Sequence, residues 1–370
     1  MFAQPHIVFS SWSGRYADNP RAIAEELVRR GSPVEQVWLL NEAAGLVPDH
    51  VRAVAPEGPE ALAVLAEAPY IISNDVLAHA FDKHTGTHYL QTWHGTPLKR
   101  IAFDVERWLF PDATQYETWL PRDVARWDVL LSPNAYSTEV LRSAFRFDGE
   151  VIETGYPRND MLLSAEADGI RARTRGALGL SDHTTAVLYA PTWRDPDPFR
   201  LELDLEELRR GLGDDCVVLV RAHWLVAASV EAPSMPNCID VSSYQDLREL
   251  YLAADILLTD YSSVMFDFAV TGKPMLFLVY ALARYRDQLR GFYFAFEASA
   301  PGPLLATTAD VVAAVRDIET LSERFGERYA AFRERFCHRE DGRASARVVD
   351  ALFGSDDAMP VGADPVVALD

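Results

Sequence analysis

Long apolar runs, cysteine pairs, positive charge and glycine-rich phosphate motifs are all scarce in this chain, and each scarcity removes a class of protein. No apolar run approaches the roughly 20 residues needed to span a bilayer, so no membrane-spanning helix is expected. The opening MFAQPHIVFSSW carries no basic stretch ahead of its short apolar run and no small-residue cleavage site, which speaks against export. Three cysteines, Cys216, Cys238 and Cys337, lie scattered without metal-ligand spacing, as suits a reducing cytoplasm. Acidic residues outnumber basic ones 55 to 35, and a net charge of −20 argues against nucleic acid and against a broadly basic membrane-binding surface. No G-x-G-x-x-G follows the first strand signal, and G-x-x-x-x-G-K-[ST] is absent. A nicotinamide dehydrogenase or a P-loop enzyme therefore loses its main support. Neither a G-x-S-x-G elbow nor a His/Asp/Glu set with ligand spacing occurs, so no metal is expected.

What is present is alternation. In 370 residues, too many for one compact core, apolar runs of strand length recur at 6–10, 34–40, 70–73, 89–93, 129–132 and 151–154. Segments of helical period stand between them, one of them from Arg21 to Arg30 with Asn19 as cap, Pro20 at the first helical position and Gly31 as stop. The pattern breaks between Gly155 and Gly169, then resumes with strands at 186–190, 217–221, 256–258 and 275–278 and with helices at 204–212, 244–253 and 264–270. Three helical segments, 308–319, 323–336 and 344–353, close the series. The last residues, 354–370, have no periodicity and are expected to be disordered. Such alternation implies an α/β chain of two doubly wound, mostly parallel sheets with a cleft between them.

Four polar clusters fall at carboxyl ends of the expected strands, where open α/β sheets bind ligands. Gln91 to Lys99 contains His94, suited to proton transfer near neutral pH or to a structural hydrogen bond, and Gly95, which permits close backbone approach. Ala190 to Asp195 offers Arg194 as a bidentate phosphate clamp oriented by Asp195 or a neighbour, or as half of an interdomain ion pair. Arg221 and His223 alternate onto one side of an extended segment, where both can face one anion. Asp260 to Ser263 precedes a helix; its serines serve either as ordinary caps or as donors to a phosphate at the helix end. At the boundary, Gly155 to Asp160 includes Arg158, and Asp160 reads as a cap for the turn at Met161-Leu162, slightly ahead of a ligand contact.

Taken in order, HGTPLK at 94–99, PRNDML at 157–162, PTWRD at 191–195, Arg221-Ala222-His223, TDYSSVMFDF at 259–268 with Gly272-Lys273-Pro274, and RGFYF at 290–294 resemble the CDP-glycerol glycerophosphotransferase family, the teichoic acid primases and polymerases. Asp341-Gly342 with Ala344 and Arg347, and the opening FSSWSGRYADNPRAI from Phe9 to Ile23, fit the same family. The resemblance implies a glycosyltransferase-B-like fold of two Rossmann-like domains facing a central cleft. Residues 1–155 would form an acceptor-side domain and 156–343 a CDP-alcohol-binding domain; 344–353 would be a terminal helix returning to the first, and 354–370 a tail. Carried onto this chain, His94 would be the catalytic base, with Gly95 and Thr96 beside it. His223, Arg221 and Arg194 would lie on the pyrophosphate, Ser262 and Ser263 on the phosphates, and Asp260 and Asp267 at the acidic positions, Asp267 toward ribose hydroxyls. The chain departs from the family pattern at Ala281 and Ala295, where acidic residues are expected.

The implied reaction is attack by an acceptor hydroxyl on the β-phosphorus of CDP-glycerol or CDP-ribitol, releasing CMP, without a cofactor. The acceptor would be polyprenyl-linked or a polysaccharide, and the protein cytoplasmic, peripheral at the inner face of the membrane with weak surface contact. A nucleotide-sugar glycosyltransferase of the same architecture, or a non-catalytic scaffold retaining the cleft, are the competing readings.

Overall fold

A computed structural model describes residues 6–12, 14–42, 45–106, 113–192, 202–222, 236–280, 282, 286 and 291–354. Contacts divide the chain into two compact units. Residues 1–94, 112–160 and 339–370 form the first, and residues 95–111 and 161–338 the second. The transfer of 95–106 to the second unit follows from contacts distant in sequence, which alternation does not reveal.

The first unit contains β1 (His6–Ser10), α1 (Asp18–Arg29), β2 (Glu35–Leu39), β3 (Arg52–Val54), α2 (Pro59–Glu67), β4 (Tyr70–Ser73), β5 (His88–Gln91), α3 (Ala113–Val124), β6 (Val129–Ser132), α4 (Ala135–Phe145) and β7 (Glu150–Glu153). The terminal helix, Ala344–Phe353, completes it. All seven strands run parallel in the order β3-β2-β1-β4-β5-β6-β7. Every residue of β1 is buried, as a strand covered on both faces requires. Phe9 stacks on Trp38 at 4.9 Å, and the same core takes in Ile23, Ile72, Leu90 and, from the terminal helix, Val348 and Val349.

The second unit contains α5 (Ala167–Ala177), β8 (Thr185–Tyr189), α6 (Leu205–Leu212), β9 (Cys216–Val220), β10 (Cys238–Asp240), α7 (Leu247–Ala253), β11 (Ile256–Thr259), α8 (Val264–Ala269), β12 (Met275–Leu278), α9 (Phe296–Ser299), β13 (Leu304–Leu305), α10 (Thr308–Arg316) and α11 (Ile318–Phe336). Its six strands are again all parallel, in the order β10-β9-β8-β11-β12-β13. In each sheet the order reverses once, between β1 and β4 and between β8 and β11. Those reversals open a crevice at the carboxyl edge of a doubly wound sheet. Local chemistry sets the helix starts: Asp204 caps α6 through Glu207 N (2.9 Å), and Thr307 with Asp310 forms a capping box on α10.

Two expectations about helix ends are corrected. α1 begins at Asp18 with Ala17 in the cap position and no side-chain cap bond. Asn19 is engaged elsewhere, its amide donating to the Trp93 carbonyl (3.0 Å) and accepting from Arg158 N (3.2 Å). Asp160 does cap a helix, but a distant one. Its carboxylate accepts from Ala344 N (2.8 Å) and Ser345 N (2.7 Å) at the start of the terminal helix, in place of the Met161-Leu162 turn. Residues 355–370, the expected tail, lie outside the described residues.

Candidate active site

In the first unit the site is built around His94. β5 ends at Gln91, whose buried amide oxygen accepts from Trp93 N (2.8 Å), and Trp93 turns the chain with φ of +51°. The half-buried His94 that follows sets its Nδ1 at 2.6 Å from the Asn74 carbonyl oxygen. A carbonyl only accepts, so in the neutral imidazole Nδ1 carries the proton and Nε2 holds the free lone pair. Among the described residues Nε2 has no hydrogen-bond partner. This is the tautomer a general base needs.

Around the imidazole lies a shell that the sequence reading missed apart from Arg158. Trp12 and Trp93 lie against the ring at centroid distances of 4.5 and 4.0 Å. Trp12 donates its indole N–H to Asp18 (2.8 Å) and its backbone N–H to the Asn74 side chain (3.2 Å). Arg158 Nη1 reaches both Asp18 oxygens (2.8 and 3.0 Å) and the His94 carbonyl (2.8 Å), and its ion pair with Asp18 is nearly excluded from water. The signal was in plain view as WSGRYADNP, but a strand end and a helix cap account for those residues equally well.

In the second unit the loops at the β8/β11 reversal are tied together by buried hydrogen bonds. Asp260, 2% exposed, accepts from Thr192 N (3.0 and 3.1 Å) and Thr192 Oγ1 (2.6 Å), and Thr259 Oγ1 donates to the Ala190 carbonyl (2.6 Å). Asp260 is thus a brace for the β8 loop. Ser263 occupies the cap position of α8, yet its side chain makes no cap hydrogen bond. Among the described residues neither the Ser262 nor the Ser263 hydroxyl has a partner. Gly95, the first residue of the second unit, sits on this turn: a Cβ there would lie 3.4 Å from Ser263 Oγ. Thr96 beside it is buried, and Asp267 lies buried on α8.

Arg221 Nη1 donates to the Val241 and Tyr244 carbonyls, 2.8 Å each, and so anchors the segment after β10. Lys273 of the Gly-Lys-Pro motif places Nζ on the carbonyls of Tyr251, Leu252 and Ala254 at the end of α7, and burial pushes its ammonium down to about 8. Arg171 and Arg175 of α5 converge on the same helix end. Arg194, Asp195, His223 and Ala281 lie outside the described residues. Among the described residues no group of three potential metal ligands occurs, and no helix is long and apolar enough to cross a membrane.

Two Rossmann-type parallel sheets in one chain, each reversing its strand order once, define a fold of glycosyltransferase-B architecture. The profile of the CDP-Glycerol:Poly(glycerophosphate) glycerophosphotransferase family matches residues 2–354, and the chain belongs to that family. It is 39% identical over 363 residues to the teichoic acid poly(glycerol phosphate) polymerase of Bacillus subtilis, covering 95% of this chain and 49% of that protein. It is also 39% identical to the Bacillus spizizenii protein of the same name, covering 94% of this chain and 92% of that one. The chain thus spans about half the length of the first of these relatives and nearly all of the second. A solved structure of the wall teichoic acid polymerase TagF, a histidine-to-asparagine variant soaked with CDPG, superposes with a TM-score of 0.87 at 35% identity. That match covers 94% of this chain and 88% of that one.

Proposed function

We propose that this chain transfers glycerol phosphate from CDP-glycerol to an acceptor hydroxyl of a teichoic acid-like polymer and releases CMP. One observation carries the reading: Nδ1 of His94 is held by the Asn74 carbonyl, which leaves the lone pair of Nε2 for the acceptor's proton. The acceptor oxygen attacks the β-phosphorus while its proton passes to Nε2 of His94. The bond from that phosphorus to the bridging oxygen breaks, and CMP departs with the electron pair. Ser262 and Ser263 hold the diphosphate, with Arg194, Arg221 and His223 supplying positive charge to the bridging and leaving oxygens. Asp260 braces the turn and Asp267 faces the ribose. Positioning and charge neutralisation carry most of phosphoryl transfer, and no cofactor enters the scheme.

The kinship with glycerol-phosphate polymerases supports glycerol over ribitol as the carried polyol. A lipid-linked acceptor, with the protein peripheral at the inner membrane face, belongs to the same proposal. Incubation with CDP-glycerol, CDP-ribitol and UDP-glucose, each with a glycerol-phosphate oligomer as acceptor, tests it. CMP release from CDP-glycerol with lengthening of the oligomer is expected. UDP release alone would indicate sugar transfer, and no turnover with any donor would indicate a binding scaffold.

A further inference from the structure

We infer that Trp12 and Asp18 are positioning residues for the His94 imidazole, and that the Trp12 indole stabilises the imidazolium formed on proton capture, a role that rests on His94 acting as the base.

Both aromatic residues touching the ring carry left-handed backbones, φ of +45° at Trp12 and +51° at Trp93, and Asp18 does too at +62°. Bulky side chains avoid that region, and such strain persists only where surrounding bonds over-determine it. They do so at all three positions. Trp12 is pinned through its backbone N–H to Asn74 and through its indole N–H to Asp18. Trp93 is held through its N–H by Gln91 and through its carbonyl by Asn19. Asp18 accepts from Asn19 N (2.7 Å), from the indole and from Arg158. Arg158 returns to the His94 carbonyl, so one carboxylate fixes both the backbone of the histidine and the indole against its ring. Asn74 closes the loop, its side chain holding Trp12 and its carbonyl holding Nδ1 of His94.

Only half-buried, Trp12 is placed as a wall of the site more than as core filling. When Nε2 takes the acceptor's proton the ring becomes cationic, with its other N–H already donated to a carbonyl and an indole alongside. The attraction of a cation to an indole face then lowers the barrier without affecting donor binding.

The test measures CMP release by the full chain with CDP-glycerol and a glycerol-phosphate oligomer for Trp12→Leu, Trp12→Phe, Asp18→Asn and His94→Ala, with melting temperature as control. Trp12→Leu is expected to lower kcat about 3- to 30-fold at unchanged KM for CDP-glycerol, and Trp12→Phe to restore most of it. Asp18→Asn is expected to lower kcat comparably, again at unchanged KM for CDP-glycerol. Wild-type kcat in Trp12→Leu and Asp18→Asn beside an inactive His94→Ala would overturn the inference and leave the base intact, whereas an active His94→Ala would overturn the base itself. Should Trp12→Leu fail to fold, the kcat of Asp18→Asn at unchanged KM decides, wild-type turnover there refuting the positioning role.

Discussion

Asp160 offers the sharpest separation of a structural from a ligand-binding role in the PRND motif. Its carboxylate accepts two hydrogen bonds from the first amides of the terminal helix, Ala344 N and Ser345 N, and burial raises its pKa. Asp160→Ala removes a helix cap, costing about 0.5–2 kcal/mol. It also orphans a second amide at about 1 kcal/mol more, for a total of about 1.5–3 kcal/mol. The helix stays attached, since Val348 and Val349 remain in the core and Arg347 still reaches the Thr154 carbonyl. For a folding unit of this size each kcal/mol lowers Tm by about 2–4 °C, so calorimetry should show the first unit melting about 3–12 °C lower. Asp160→Asn keeps one acceptor oxygen and should lose less than half as much. Titration with CDP-glycerol should give wild-type affinity for both variants. An unchanged melting temperature with lost CDP-glycerol binding would refute the capping role and make Asp160 a ligand contact.

Other consequences can be measured independently. Asp123 is fully buried among Arg126, Trp127, Tyr89 and the Leu77 amide, and burial lifts its carboxyl from 3.8 to about 6. The folded state then binds this proton more tightly than the unfolded one. The corresponding stability is fully present below about pH 4 and lost as pH rises through about 6, a span of about 3 kcal/mol. Urea unfolding of wild type against Asp123→Asn across that window should show the difference, and parallel curves would contradict it. Gly302→Ala places a Cβ 1.9 Å from the Met275 carbonyl oxygen, so β12 must shift. A loss of about 3 kcal/mol or more is expected for such overpacking against backbone, and a wild-type urea midpoint would contradict it.

The sequence was most legible where burial is continuous. β1, β4, β6 and β12 begin and end where their apolar runs do, because a parallel strand covered on both faces needs an apolar residue at nearly every step. β3, β10 and β13 have two or three residues each, too few for any period to show. The helix α5 was passed over because its polar ADGIRARTRGA resembles a linker. Its arginines in fact serve Asp255 and the end of α7. Arg158 and Asp160 stood out as a pair, but their partners lie 140 and 184 residues away, a distance no local pattern encodes. Likewise His94 announces itself, whereas the Trp12–Asp18–Arg158 shell becomes a unit only once β1, β4 and β5 lie side by side.

The most direct measurement is turnover by His94→Ala beside its affinity for CDP-glycerol. A lost general base should cost about 10²- to 10⁴-fold in CMP release while calorimetric affinity stays within about threefold, since uniform donor binding does not involve the base. Normal transfer by the variant, or affinity falling in step with turnover, would contradict the account.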